Sequence, residues 1–317
     1  MLSRANVSSG ATSEHGELFA VGILILAVIA YAATDGMVKW LSASYPVLEI
    51  TFFRSIFTFI PAAAVIAQCG GIPSLRTNRL RLHLLRAAFG SAAMLLYFFS
   101  YSMLPMADVT TLGQTYPLIL VALSWLLLGD RASRGEWLAV AAGFLSVIVI
   151  VDPGSSVFDW RSLLPLLGSA CMAGFVILLR FLSATESRAS LLVYVPLLTS
   201  AWTGASLNWV WTAPRSTDWL LLLVMGVVGG VGFHFRNLAY SSARPATLAP
   251  IEYLHILFAS AIGIVVFGNF PSWQLLIGAG MLVASNLYVV RSQHRRQTVI
   301  PAPADPHKSE GERRRYA

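Results

Sequence analysis

The chain has 317 residues, of which 56% are apolar and 12% charged, with a net charge of +7. A soluble domain carries about 25% charge, so this stock cannot supply a water-facing surface. The arginines lie between apolar stretches and in the C-terminal tail rather than on one face, which argues against nucleic acid as a partner.

Ten apolar runs follow in chain order: Leu18–Trp40, Val47–Ile66, Leu84–Leu104, Val109–Leu128, Gly135–Val151, Leu163–Phe181, Leu191–Trp211, Trp219–Tyr240, Leu248–Phe267 and Trp273–Val290. Each has roughly the 17–25 residues that a helix needs to cross about 30 Å of hydrocarbon. The links hold turn formers at Ser42–Pro46, Leu104–Met106, Asp152–Ser156, Ala213–Ser216 and Arg244-Pro245, so chain neighbours are expected to pack as antiparallel hairpins. The expected fold is an all-α integral membrane protein of ten transmembrane helices. It divides into a leader at 1–17, a first five-helix repeat at 18–151, an outer connection at 152–162, a second five-helix repeat at 163–290, and a basic, disordered tail at 291–317.

The first run ends in the small-residue pattern Ala30-Tyr31-Ala32, but Arg4 stands against Glu14 and Glu17 in a poor positive leader, and the run reads as a span rather than a cleaved signal. Cys69 and Cys171 fall on distant spans, and no disulfide is expected between them.

With a cytoplasmic N-terminus the inward connections hold Arg76, Arg79, Arg81, Arg86, Arg131, Arg134, Arg180, Arg188 and Arg244, and the outward ones little beyond Arg161 and Arg215. That bias places both termini in the cytoplasm of a multi-pass protein of the inner (plasma) membrane. The sequence also repeats: Tyr101-Ser102, Ala107, Leu118, Ala122, Gly129 and Ser133 recur as Tyr240-Ser241, Ala246, Leu257, Ala261, Gly268 and Ser272 at an offset of 139. Five spans per repeat is an odd number, so the second copy enters from the opposite side. Inverted repeats of this kind suit alternating access to a midplane site.

The segment Tyr101-Ser-Met-Leu-Pro-Met-Ala-Asp-Val-Thr-Thr-Leu-Gly-Gln-Thr-Tyr-Pro117, with Leu127-Leu-Gly-Asp-Arg131, resembles the drug/metabolite transporter superfamily in its EamA-type members, and Ala239 to Leu254 with Phe267 to Pro271 looks like the matching half. The resemblance covers Leu18 to Val290 and implies transport of a small metabolite. Phe52-Phe53-Arg54 and Ala249 to Leu254 look closest to the branch associated with S-adenosylmethionine and riboflavin uptake. Family members often carry Glu after the glycine closing spans four and nine, where this chain has Asp130 and Asn269.

Ionisable residues within spans cost about 2.5–3.5 kcal/mol each at the bilayer centre, so each needs a partner or a use. Counted from the turn near Ser44, Asp35 lies nine residues before and Arg54 ten after, while Lys39 and Glu49 are each five away. The deeper pair, Asp35–Arg54, is the expected direct contact. It serves either to pin spans one and two or in gating and proton coupling. Lys39 is expected to snorkel to the outer surface.

Around the Arg244-Pro245 turn, Arg236 and Glu252 match in depth, and so do His234 and His255 further in. With Asn237 and Tyr253 they form the candidate substrate site, which a buried structural network would equally explain. Arginine grips carboxylate or phosphate in two prongs, and histidine exchanges protons near neutral pH. His234 and Arg236 point to nearly opposite sides of one helix; Arg236 is the expected cavity residue, and His234 is left to proton coupling or a helix interface. The 139-residue offset carries Arg236, Tyr253 and His255 onto Tyr97, Gln114 and Tyr116. Together with Tyr101 they would give an aromatic and amide wall suited to a planar or zwitterionic solute.

Gly226, Gly229, Gly230, Gly232, Gly278 and Gly280 are expected at close helix contacts. Pro117 and Pro250 are expected at kinks, and Trp125, Trp137, Trp211, Trp219 and Trp273 at the interfaces. The expected activity is secondary transport, with a small-molecule substrate, membrane lipids as surroundings, no cofactor or metal, no nucleic acid and no catalytic residues. A homodimer is left open. Lys39 and Lys308 are the only lysines, and no phosphate-binding loop is present to use ATP. The alternative is an intramembrane enzyme acting on a lipid or isoprenoid, which would call for a metal-binding carboxylate cluster.

Overall fold

A backbone N–H or C=O in hydrocarbon has no water to bond, so a crossing segment must close its hydrogen bonds within itself. The computed structural model describes residues 14–128, 133–152, 159–183, 185–242 and 245–299. Thirteen α-helices account for nearly all of them. In order they are α1 (Glu14–Leu41), α2 (Val47–Phe57), α3 (Phe59–Gln68), α4 (Leu80–Met103), α5 (Met106–Gly113), α6 (Tyr116–Leu128), α7 (Arg134–Val151), α8 (Leu163–Ser183), α9 (Arg188–Val210), α10 (Asp218–Ser242), α11 (Pro245–Glu252), α12 (Leu254–Phe267) and α13 (Trp273–Val299).

They form ten stretches of 18 to 24 residues that are long and apolar enough to cross a membrane. At 1.5 Å per residue these lengths are roughly 27–36 Å. The ends of the sequence-derived spans move by at most four residues, the largest shift being Leu84 to Leu80. Helix α1 starts at Glu14, ahead of the expected Leu18, and α13 runs nine residues beyond Val290 to Val299. Asp130, Arg131 and Arg244 lie outside the described residues. Large apolar side chains face outward in mid-span, Leu257 at 64% and Leu145 at 57% exposure, as lipid contact requires.

Three spans are broken, each near a proline. α2 gives way to α3 at Thr58, three residues before Pro61; α5 to α6 at Gln114 and Thr115, just before Pro117; and α11 to α12 at Tyr253, just after Pro250. Proline has no N–H to give the preceding turn, and the freed carbonyls find side chains instead. Asn286 Nδ2 donates to the Gln114 carbonyl at 3.1 Å. The Ser169 hydroxyl shares its proton among the carbonyls of Leu112, Gly113 and Pro165 at 2.9–3.1 Å. Gln114 and Tyr253 are 139 positions apart, so the breaks fall at matching places in the two halves.

The halves interleave rather than sit side by side. α1 packs chiefly along α10, α4 along α8, α2 along α9 and α7 along α13. Exchanging the first five spans for the second five maps this set of contacts onto itself. Ser133 and Ser272, 139 apart, each place Oγ on a backbone N–H three residues on, at Glu136 and Leu275, both at 3.2 Å. Both therefore cap the fifth span of their half.

Close packing on α10 depends on missing side chains. A Cβ on Gly226 would meet the Phe57 Cβ and lie 3.1 Å from the Arg54 carbonyl oxygen, and Gly278 is similarly seated on Ile150, whereas Gly280 meets nothing within 4 Å. The expectation for Gly280 is therefore corrected: it faces open space. Cys69 and Cys171 are free thiols.

Lys39 is also corrected. It does not reach for the surface: its Nζ donates to the carbonyls of Leu104 at 2.6 Å and Tyr101 at 3.1 Å and lies 5.5 Å from the centre of the Phe267 ring. The C-terminal end of α4 presents unsatisfied carbonyls and the negative end of its dipole, a better partner for a partly buried ammonium than a long reach to water.

Gly226→Ala should lower the melting temperature of the detergent-purified protein by the equivalent of about 1–3 kcal/mol of overpacking. Gly280→Ala should stay within about 0.5 kcal/mol of the parent. Parallel scanning fluorimetry of the two variants checks the pair.

Candidate functional site

The spans enclose a cavity of about 250 Å³, lined from both halves by α1, α2, α4, α5, α6, α8, α9, α10, α11 and α12. Neither α7 nor α13 contributes to the lining. α4 presents one continuous stripe, Met94, Tyr97, Phe98 and Tyr101, at the i, i+3, i+4, i+7 spacing of a single helix face. Tyr97 can lie flat against α8 because Gly168 faces it, where a Cβ would sit 3.0 Å from the ring, and its hydroxyl is 3.2 Å from Ser169 Oγ.

Two polar networks project into this space. In the first, Asp35 Oδ2 accepts from the Tyr101 hydroxyl at 2.8 Å and from His255 Nε2 at 3.0 Å, with Thr110 Oγ1 3.4 Å from the same tyrosine hydroxyl. The Tyr31 ring stands edge-on to His255 at 6.4 Å. In the second, Arg236 Nε donates to Glu252 Oε1 at 2.9 Å and Nη2 to the Tyr116 hydroxyl at 3.1 Å, while the guanidinium lies 5.9 Å from the Tyr240 ring centre. Asp35 with His255, and Tyr116 with Arg236, join the first half to the second.

The expected Asp35–Arg54 contact is not made. Counting from the turn fixed their common depth but not their angle about the helix axes, and His255, from the other half, takes the carboxylate. Arg54 Nη1 instead donates to Met94 Sδ at 3.2 Å, its guanidinium lies 5.8 Å from the centre of the Phe98 ring, and Nε has no partner. Glu49, level with Lys39 in depth, accepts the Thr212 N–H at 2.9 Å.

Of the sequence-derived candidates, Asp35, Arg54, Tyr97, Tyr101, Gln114, Tyr116, Arg236, Glu252 and His255 line the cavity. Three do not. Asn237 is exposed, Tyr253 is buried at the α11–α12 break outside the lining, and His234 sits beside the Phe235 ring at 6.2 Å. Residues missed by sequence reasoning include Tyr31, Met94, Phe98, Thr110 and Phe175. Tyr31 was within reach, because it precedes Asp35 by four positions on the same helix face.

Polar connections also clasp the bundle at each end. At one end the Tyr45 hydroxyl donates to Asp218 Oδ2 at 2.6 Å and accepts the Arg215 N–H at 3.0 Å. At the other, the Ser187 hydroxyl donates to the Ser74 carbonyl at 2.5 Å, the Tyr194 hydroxyl to the Leu75 carbonyl at 3.0 Å, and His83 Nε2 meets Glu186 Oε2 at 3.2 Å.

Comparison with known proteins agrees with this geometry. Residues 18–152 match the EamA-like transporter family. A riboflavin transporter of Brucella anthropi is 26% identical over 277 residues, covering 84% of this chain and 97% of that protein. An S-adenosylmethionine uptake transporter of Rickettsia felis is 24% identical over 276 residues, with 87% and 94% covered. A pseudopaline exporter of Pseudomonas aeruginosa is 27% identical over 288 residues, with 87% and 98% covered. A crystal structure superposes with a TM-score of 0.59 at 16% identity over 90% of this chain and 99% of that one, a likeness of fold. Residues 18–152 match an EamA-like transporter domain, and the chain that carries it is a multi-pass membrane transporter of a small metabolite.

Proposed function

We propose that the protein is a secondary transporter of the plasma membrane that moves a planar organic solute, chemically unaltered, by alternating access between two inverted five-span halves, with both termini in the cytoplasm. The observation that carries this reading is the cavity lined from both halves and bridged by Asp35–His255 and Arg236–Tyr116. A site whose walls belong to two related halves changes its exposure when they exchange conformations. The self-mapping helix contacts support inversion. So do the end clasps: they join the connection between spans one and two to that between seven and eight, and the connection between two and three to that between six and seven. Each such pair shares a side if every span crosses once.

The rings of Tyr31, Tyr97, Phe98 and Tyr116 suit stacking on a flat heterocycle, as would the cargo in the names of the riboflavin and S-adenosylmethionine relatives. Asp35 with His255 is the proposed proton-coupling pair. A proton taken up by the carboxylate removes its charge and the attraction that holds α1 to α12.

Single cysteines at Arg134→Cys and Trp273→Cys, 139 positions apart and both exposed, in a background with Cys69→Ser and Cys171→Ser, should differ toward an impermeant maleimide: Trp273→Cys labels in intact cells, Arg134→Cys only after permeabilisation. The same accessibility for both would end the inversion. In proteoliposomes offered radiolabelled riboflavin and S-adenosylmethionine, Arg236→Ala should cut uptake on the order of tenfold or more, as for loss of a charged hydrogen-bond donor; recovery of a chemically altered solute would replace transport with an enzyme. Asp35→Asn should retain solute exchange while losing accumulation driven by an imposed pH gradient, and undiminished accumulation would remove Asp35 from coupling.

A further inference from the structure

Both carboxylates that line the cavity are committed: Asp35 to His255 and Tyr101, Glu252 to Arg236. Two arginines nearby make no ion pair with a carboxylate among the described residues, the Asp35 charge acting on Arg54 only from beyond contact distance. Arg54 lines the cavity in contact with a thioether and an aromatic face and with Nε unpartnered. Arg86, on α4, is 1% exposed. Its Nη1 donates to the Leu191 carbonyl at 2.8 Å, its guanidinium lies 4.4 Å from the Phe175 ring centre, and both Nε and Nη2 lack partners.

The two guanidiniums lie along one face of α4. Arg54 touches Met94, and Arg86 lies eight residues back along the same helix, a rise of about 12 Å. Gly90 lies midway and lines the cavity, with Phe175 packed so closely on it that a Cβ there would sit 3.0 Å from the ring. Phe175 therefore separates the open cavity from the Arg86 guanidinium, covering one and bordering the other.

An unpaired buried charge is retained at a cost to stability, and such costs concentrate where a ligand supplies the missing partner. A solute with no anionic group would leave Arg86 unpaired and Arg54 with only the distant Asp35 charge. Resting on the transport reading above, we propose that the transported solute carries an anionic group, a carboxylate or phosphate. Arg54 receives it in the cavity, and Arg86 receives it in turn when Phe175 moves aside.

The test is thermal melting of the purified full chain, with Arg54→Met and Arg54→Lys beside it. The probes are two matched pairs that differ in charge on one ring system: nicotinate against nicotinamide for carboxylate, and flavin mononucleotide against riboflavin for phosphate. Without ligand, Arg54→Met should melt roughly 2–4 °C above the parent, since an uncompensated charge has gone. The anionic member of one pair should raise the parent's melting temperature more than its neutral twin, and the pair that responds tells carboxylate from phosphate. Arg54→Met should abolish that difference and Arg54→Lys should keep part of it. A lower ligand-free melting temperature for Arg54→Met, or equal shifts from neutral and anionic twins, overturns the proposal. If no probe shifts the parent, the ligand-free comparison alone decides, a rise supporting and a fall refuting it. Flux in proteoliposomes tests transport separately: transport of riboflavin, which has no anionic group, would end this inference and leave the transporter intact, whereas transport of S-adenosylmethionine, which carries a carboxylate, would support both.

Discussion

Hydrocarbon gives a charged or polar group nothing to bond to, and the arrangement of this bundle follows from how each such group is answered. Asp35 is answered by His255 and Tyr101, Arg236 by Glu252 and Tyr116, and Lys39 by two carbonyls at the end of α4. Most of these partners lie on other spans. Each pairing therefore fixes how two helices are turned toward one another, which apolar packing alone, being nearly isotropic in lipid, specifies poorly.

The same constraint places the broken helices. An interrupted helix in a membrane exposes carbonyls, and these persist only where protein side chains or a polar cavity meet them. Ser169 and Asn286 do so at the α5–α6 break. Gln114 at that break reaches toward the carbonyl of Glu252 beside the other break, at 3.5 Å. The two interruptions thus approach one another across the cavity and carry Tyr116, Glu252 and His255 with them.

What was legible in the sequence was one-dimensional. Span number and ends follow from the length of apolar runs, a property of the chain alone. Depth also reads well, because rise per residue is constant: Arg236 and Glu252, matched in depth across one turn, do pair. Angle does not follow from depth when a third helix can compete. Asp35 is level with Arg54, yet its partner comes 220 positions away on α12, a proximity that no local spacing encodes. Depth pairs His234 with His255, but the turn of the helix that brings Arg236 to the cavity carries His234 and Asn237 off it. Lys39 was misjudged because snorkelling assumes that water is the best partner within reach, and a helix terminus lay closer.

The polar contacts differ in kind between the middle of the bundle and its ends. Those at the ends include a tyrosine shared with Asp218 and Arg215 on one side and two hydroxyl–carbonyl bonds on the other. Groups near water exchange such bonds for hydration at small net cost, about 0.5–1.5 kcal/mol each. Those in the middle have no such exchange, because opening Asp35–His255 or Arg236–Tyr116 without a replacement strips a partner from a charged group in a low-dielectric space. On the proposed alternating-access reading, exchange between the halves meets its resistance at the cavity more than at the clasps. A solute that replaces one of the central partners would then act at the place where that resistance lies, which ties occupancy of the site and movement of the halves to the same few residues.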